Sequence, residues 1–146
     1  MDEIVKMLDE NLEYVTHEIE DNTIYIHVSS SREEAICPYC GQLSIKVHSH
    51  YPRIFQDLPI QGKKVKIVLD NRKFFCKNED CSHKTFAEKF SFLARNATKT
   101  DRLQEEILNV SLNQSSISAS QYLNKSCCTV GKSTICSLLK KRGNPV

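Results

Sequence analysis

The sequence predicts an α+β chain, with a β-rich N-terminal module followed by a helical one. Three observations point that way. Between Leu12 and Phe75 the apolar residues mostly recur at every second position, the period of a strand. Residues 100–142 hold one glycine and no proline, and their apolar residues recur at helical spacing. Two short cysteine pairs, Cys37/Cys40 and Cys76/Cys81, bracket the middle strands. With 146 residues the chain has room for two small modules, which we divide as 1–95 and 96–146.

The elements follow in order. Ile4, Val5 and Leu8 share one face of a short helix over residues 3–10. Leu12 to Ile19 and Ile24 to Val28 read as a hairpin across Asp21-Asn22, and Ser29-Ser30-Ser31 loosens the chain after it. Leu43, Ile45 and Val47 give a strand over residues 43–50. Pro52 and Pro59 bracket an extended stretch, and Gly62 allows a turn. The next strand puts Val65, Ile67 and Leu69 on one face, Lys64 and Lys66 on the other, and runs on to Cys76. Thr100 or Asp101 caps a helix carrying Leu103, Ile107 and Leu108. Ser115 or Ser116 starts a second helix through Leu123. Asn124-Lys125-Ser126 reads as a tight turn. A third helix from Ser126 carries Val130, Thr134 or Ile135, and Leu138 with Leu139, and ends at Lys140-Lys141-Arg142-Gly143.

Composition excludes several classes. The longest aliphatic run, Ile67-Val68-Leu69, is far too short to span a bilayer, and the acidic start lacks the apolar core of a secretory signal. Cytoplasmic residence is expected. Net charge is +2, but residues 1–36 hold ten acidic side chains against two basic, and residues 37–146 hold eighteen basic against eight acidic. An acidic leader thus precedes a basic body suited to a polyanion.

Seven cysteines in a chain without an export signal favour metal binding or free thiols over disulfides. Cys-x2-Cys, 35 residues, then Cys-x4-Cys supplies four thiolates that can converge tetrahedrally on one Zn²⁺. Gly41 after the second cysteine fits a knuckle in which backbone N–H groups face the sulfurs. Cys37, Cys40, Cys76 and Cys81 are therefore the expected ligands of one structural zinc, with no open coordination position and no catalytic role. Cys37-Pro38-Tyr39-Cys40 alone also matches a glutaredoxin-like redox turn, but no βαβ pattern surrounds it and the second pair goes unused. His48, His50 and His83 lie close enough in sequence to replace a ligand, though hydrogen-bonded surface roles suit them better. Cys127, Cys128 and Cys136 suit core or surface positions.

Gly131-Lys132-Ser133-Thr134 imitates the end of a phosphate-binding loop, but Ser126 stands where the first glycine is required. The helical segment reads better as a helix-turn-helix. Ser120 allows close crossing, Leu123 and Val130 fill the seam, and Ser126 caps the recognition helix. Ser126, Thr129, Lys132, Ser133, Lys140, Lys141 and Arg142 are then candidates to contact DNA. Lys63, Lys64, Lys66, Arg72 and Lys73 form a basic strand surface that can track phosphates.

Cys37-Pro38-Tyr39-Cys40-Gly41, Val47-His48-Ser49, Tyr51, Arg53, Asp57-Leu58-Pro59, Gly62, Arg72, Phe74 or Phe75, Cys76, Asn78, Cys81 and Phe86 resemble the N-terminal zinc-finger region of bacterial insertion-sequence transposases of the ISL-three type. Thr100 to Arg142 is similar to the helix-turn-helix that follows in those proteins. The resemblance implies binding to double-stranded DNA at the terminal inverted repeats of a mobile element, at the nucleoid. A homodimer or a full-length transposase is the implied protein partner. The family's catalytic domain, in which three carboxylates hold two Mg²⁺ ions, has no room in the four residues after Arg142. The chain therefore reads as a truncated DNA-binding fragment rather than an enzyme, with no small-molecule substrate and no membrane partner. A zinc-ribbon protein-interaction module and a non-functional remnant are the alternatives.

Overall fold

A computed structural model describes residues 1–94, 97–112 and 114–141, with Ser126 by its backbone alone. The chain is mixed α+β. Helix α1 (Asp2–Leu8) leads into β1 (Leu12–Glu20) and β2 (Thr23–Ser30). Two-residue strands β3 (Ala35–Ile36) and β4 (Leu43–Ser44) follow, then the long strands β5 (Val47–Ile60) and β6 (Lys63–Phe75), and the short β7 (Thr85–Ala87). Three helices complete it: α2 (Asp101–Ser111), α3 (Ser116–Ser126) and α4 (Lys132–Lys141).

The main sheet runs β1-β2-β6-β5. β2 pairs parallel to β6 over Lys64 to Asp70, and β7 takes over the same edge of β6 at Lys73 to Phe75. The β5–β6 hairpin turns at Gln61 (φ 50°) and Gly62 (φ 77°). Two successive positive φ values match the twist of the flanking strands, which is why glycine stands here. Pro52 and Pro59 lie inside β5 rather than bracketing it. β5 is an edge strand, so the missing N–H groups cost no ladder bond. The strand expected over residues 43–50 is broken instead. β4 ends at Ser44, the Lys46 carbonyl accepts from Phe75 N–H at 2.9 Å, and β5 begins at Val47.

Alternation decides what is buried. Ile24, Ile26, Val28, Val65, Ile67, Leu69 and Phe55 face inward against Val5, Leu12, Phe90, Phe92 and Leu93. A smaller cluster of Ala35, Cys37, Phe74 and Phe86 lies beneath the cysteine turns, with the Phe74 and Phe86 rings stacked 5.8 Å apart. The third core is helical. Leu103, Ile107 and Leu108 of α2 meet Ala119 and Leu123 of α3 and Ile135 and Leu139 of α4, with Cys127, Cys128 and Val130 between them. The inward residue of α4 is Ile135; Thr134 is exposed.

The helix boundaries correct the sequence expectation. Asn124-Lys125-Ser126 is not a turn but the last turn of α3, and Ser126 ends that helix rather than capping the next. The true turn is Cys127 to Gly131. The Asn124 side chain reaches forward to accept from Val130 N–H (3.2 Å) and donate to Val130 C=O (2.6 Å), so this residue shapes the turn from inside the helix. Ser120 Oγ also donates to Val130 C=O, at 2.9 Å, and the small residue buried in the packing is its neighbour Ala119. Gly131 thus precedes α4 instead of weakening its interior. Thr100 and Ser115 cap α2 and α3 as expected.

Two side chains of the sheet, Asp57 and Gln56, hold the helices to it. Buried Asp57 on β5 accepts from Thr100 Oγ1 at 2.8 Å and from Arg102 Nε at 2.8 Å, and pairs with Arg102 Nη2 as well. Gln56 grips the α3–α4 turn, accepting from Thr129 N–H (2.7 Å) and donating to Thr129 C=O (3.1 Å). Its backbone exchanges bonds with Thr98 and Thr100.

Candidate metal centre and nucleic-acid interface

Each cysteine pair is held by local backbone geometry. β3 and β4 pair through Ala35–Ser44 and Ile36–Leu43, which closes residues 37–42 into a tight loop. Cys37 N–H donates to Gln42 C=O at 3.0 Å, and Gly41 N–H to Cys37 C=O at 2.8 Å. Gly41 sits at φ 80°, where a Cβ is strained. The second pair leaves the end of β6 and returns through β7. Cys76 N–H donates to Lys84 C=O and Cys81 N–H to Asn78 C=O. Because β6 and β7 pair, and β6 also pairs with β5, the two loops meet.

They meet at four sulfurs. The Sγ atoms of Cys37, Cys40, Cys76 and Cys81 all lie within 4.8 Å of one another. Cys40 and Cys76 are 3.5 Å apart, and Cys37 and Cys81 4.0 Å. Zn–S bonds of about 2.3 Å in a tetrahedron put sulfurs about 3.8 Å apart, so the set fits zinc. Backbone N–H groups two residues on face three of the sulfurs: Gln42 faces Cys40, Asn78 faces Cys76 and His83 faces Cys81. The Gln42 N–H lowers Cys40 to about 7. Cys76 is pushed up to about 12: the Asn78 N–H pulls it down, but desolvation and the neighbouring Cys40, Cys37 and Cys81 prevail. Four crowded sulfurs cannot all ionise without a cation among them. Cys37 is fully buried over Phe74 and Phe86, while Cys40 is exposed.

The histidines are not part of this set. His83 stacks flat on Tyr39, 3.5 Å between centroids and 6° between planes, which ties the two loops together on their outer side. His48 lies edge-on to Phe75 and His50 pairs with Asp70. The Cys37–Cys40 turn links two short strands and opens no helix, so the redox arrangement is not formed.

Residues 33–81 match the zinc finger of the IS204/IS1001/IS1096/IS1165 transposases. The match covers both cysteine pairs and the strands between them, and ends before the helices. No curated protein and no solved structure matches the chain. The transposase zinc finger and the four converging sulfurs together assign one structural zinc to Cys37, Cys40, Cys76 and Cys81. With four thiolates the coordination shell is closed, and the metal cross-links the two loops. A zinc finger of this kind implies a nucleic-acid partner.

The basic residues around the finger divide differently from the expected single strand surface. Lys64 and Lys66 lie on the outer face of β6, with Lys66 over the Tyr25 ring and opposite Gln56. Lys73 has the other parity and lies over Tyr51 on the opposite face. Lys63 sits at the hairpin end, across from Ile60. Arg72 is spent internally. Its guanidinium donates to the fully buried Glu88 carboxylate, to Ser30 Oγ and to Arg32 C=O, so it is not available as a phosphate contact. Thr129 in the α3–α4 turn and Lys132, Ser133, Lys140 and Lys141 on α4 are exposed. Ser126 ends α3 and Arg142 lies outside the described residues. Among the described residues no helix is long and apolar enough to cross a membrane.

Sequence reasoning missed the two charged clamps, Asp57 with Arg102 and Glu88 with Arg32 and Arg72. Asp57 lies in the Asp57-Leu58-Pro59 string that carries the resemblance. A carboxylate on the inward parity of an apolar strand is the signal that marked it.

Proposed function

We propose that this chain is the DNA-binding part of an insertion-sequence transposase and recognises the terminal inverted repeats of its element. The observation that carries this reading is the joint between a transposase-type zinc finger and the α3–α4 pair. Gln56 on the finger's own strand β5 holds the α3–α4 turn by both polar groups of Thr129. Read as a helix-turn-helix, α3 supports and α4 recognises. The five-residue turn Cys127 to Gly131 is slightly longer than is usual for that motif. Thr129, Lys132, Ser133 and Lys140 then meet the major groove or its phosphates, Lys141 lies beside them, and Lys63, Lys64 and Lys66 flank the joint. The two-module division at 95/96 follows the separate strand and helix cores. The reading gives the chain no catalytic step. Its protein partner is a second copy or a complete transposase on the paired repeats.

The test is binding of zinc-loaded protein to a duplex carrying the element's terminal repeat, against a scrambled duplex. Lys132→Gln with Ser133→Ala is expected to weaken the repeat complex by about tenfold or more while leaving zinc content unchanged. Equal binding to both duplexes by the unaltered protein contradicts specific recognition.

A second reading has an observation of its own. Ile36 and Leu43 pair on the first-knuckle hairpin, and with Ile45 they are more than half exposed or nearly so. Such a patch suits a protein-interaction module. Salt-insensitive capture of a protein, with no retention of DNA, supports that reading instead.

A further inference from the structure

Two hollows on the molecule carry positive charge that, Lys141 apart, the reading above does not use. The first lies between the first zinc knuckle and the sheet, where Tyr39, Tyr51, Arg53, Lys73 and Lys89 line it. Its carboxylate, Glu88, is fully buried and already held by Arg72 and Arg32. The hollow is therefore cationic. Its aromatic walls are fixed. Tyr39 is stacked on His83, and the Tyr51 hydroxyl accepts from Asn71 Nδ2 at 2.6 Å while Lys73 lies 5.7 Å from its ring centroid.

The second hollow lies against α4, lined by Lys99, Thr134, Ser137 and Lys141. Arg53 links the two hollows. Arg53 borders the first and donates to the Ala94 and Ala97 carbonyls at 3.1 and 3.3 Å, and Ala94 and Ala97 line the second. Cationic side chains thus continue from Lys141 and Lys99 on the α4 side, past Arg53, to Lys73 and Lys89 beside the knuckle.

We propose that these hollows form one groove that carries the backbone of duplex DNA from α4 to the first zinc knuckle, with Lys73 and Lys89 as phosphate contacts beyond the recognition helix. This rests on the DNA-binding reading and extends it. Duplex DNA is the occupant because the groove continues the face of α4 offered to DNA. Lysine ammonium groups and a tyrosine hydroxyl are the groups that hold phosphates without reading sequence. The zinc site gains a purpose in this arrangement, because it fixes the loop that presents Tyr39.

The test uses the full zinc-loaded chain and a mixed-sequence duplex that reaches well beyond α4. Binding is measured across a salt series for the unaltered protein, for Lys73→Gln with Lys89→Gln, for Lys89→Gln alone, and for Lys132→Gln. Each lost phosphate contact lowers the slope of log K against log salt by about 0.9, so the double variant is expected to lose about 1.8 and the single about 0.9. Hydroxyl-radical protection is expected to shorten on the knuckle side only. If the double and single knuckle variants keep the full slope and footprint while Lys132→Gln loses slope, the groove is overturned and the DNA-binding reading stands. If the unaltered protein binds no duplex, both fall. Zinc content and circular dichroism report folding, and the exposed Lys89→Gln variant carries the test should the double variant misfold.

Discussion

Cys40 and Cys76 sit 3.5 Å apart, and sulfurs this crowded cannot all ionise on their own. Zinc resolves that conflict by taking the place of the protons. Cys76→Ser is expected to reduce bound zinc from one per chain to near none by elemental analysis, with loss of the β-sheet circular dichroism of the finger. Binding requires thiolates and releases protons, so affinity rises with pH. Competition with a coloured chelator is expected to show weaker zinc binding from about pH 8 to about pH 6. Gly41 gives a smaller effect. A Cβ there meets nothing within 4 Å, so Gly41→Ala costs only the backbone strain at φ 80°, about 1 kcal/mol in urea denaturation. Asp57 is the opposite case, a carboxylate buried against Thr100 and Arg102. Asp57→Ala leaves a partly exposed guanidinium unpaired, and a loss of about 3 kcal/mol is expected.

At the level of elements, much of the architecture is legible because period and turn chemistry agree. The β1–β2 hairpin, the core face of β6 and the cap residues Thr100 and Ser115 follow from alternation and from side-chain oxygens that accept at N2 or N3. The four zinc ligands are legible from spacing alone. Other features are not local. Asn124-Lys125-Ser126 has turn composition, yet it stays helical because Leu123 is buried and Asn124 bonds Val130 six residues on. The five basic residues of β6 look alike in sequence, but only pairing with β7 brings Glu88 to Arg72 and removes it from the surface. Gln56 looks like any polar strand residue until the α3–α4 turn arrives beside it. Gln56→Ala is expected to cost about 1–2 kcal/mol by removing two bonds to Thr129. If the joint positions α4, the same variant weakens DNA binding by more than its stability loss accounts for. An unchanged affinity contradicts that role.

At the scale of the molecule, a metal-locked sheet carries a small helical bundle, and the acidic side chains of residues 1–36 are set apart from the basic remainder. β1 places part of that acid at the far edge of the sheet from β5, whose Gln56 and Asp57 receive the helices, whereas α1 lies across the sheet near Leu58 and Arg102. Because phosphate contacts dominate affinity, binding is expected to fall steeply with salt while specificity stays with α4. The most direct test is a selection. Zinc-loaded protein is mixed with sheared host DNA at about 0.15 M salt, and the retained fragments are sequenced. The account predicts enrichment of short inverted repeats that flank a mobile element, lost when zinc is stripped. Retention with no preferred sequence, or no retention at all, contradicts it.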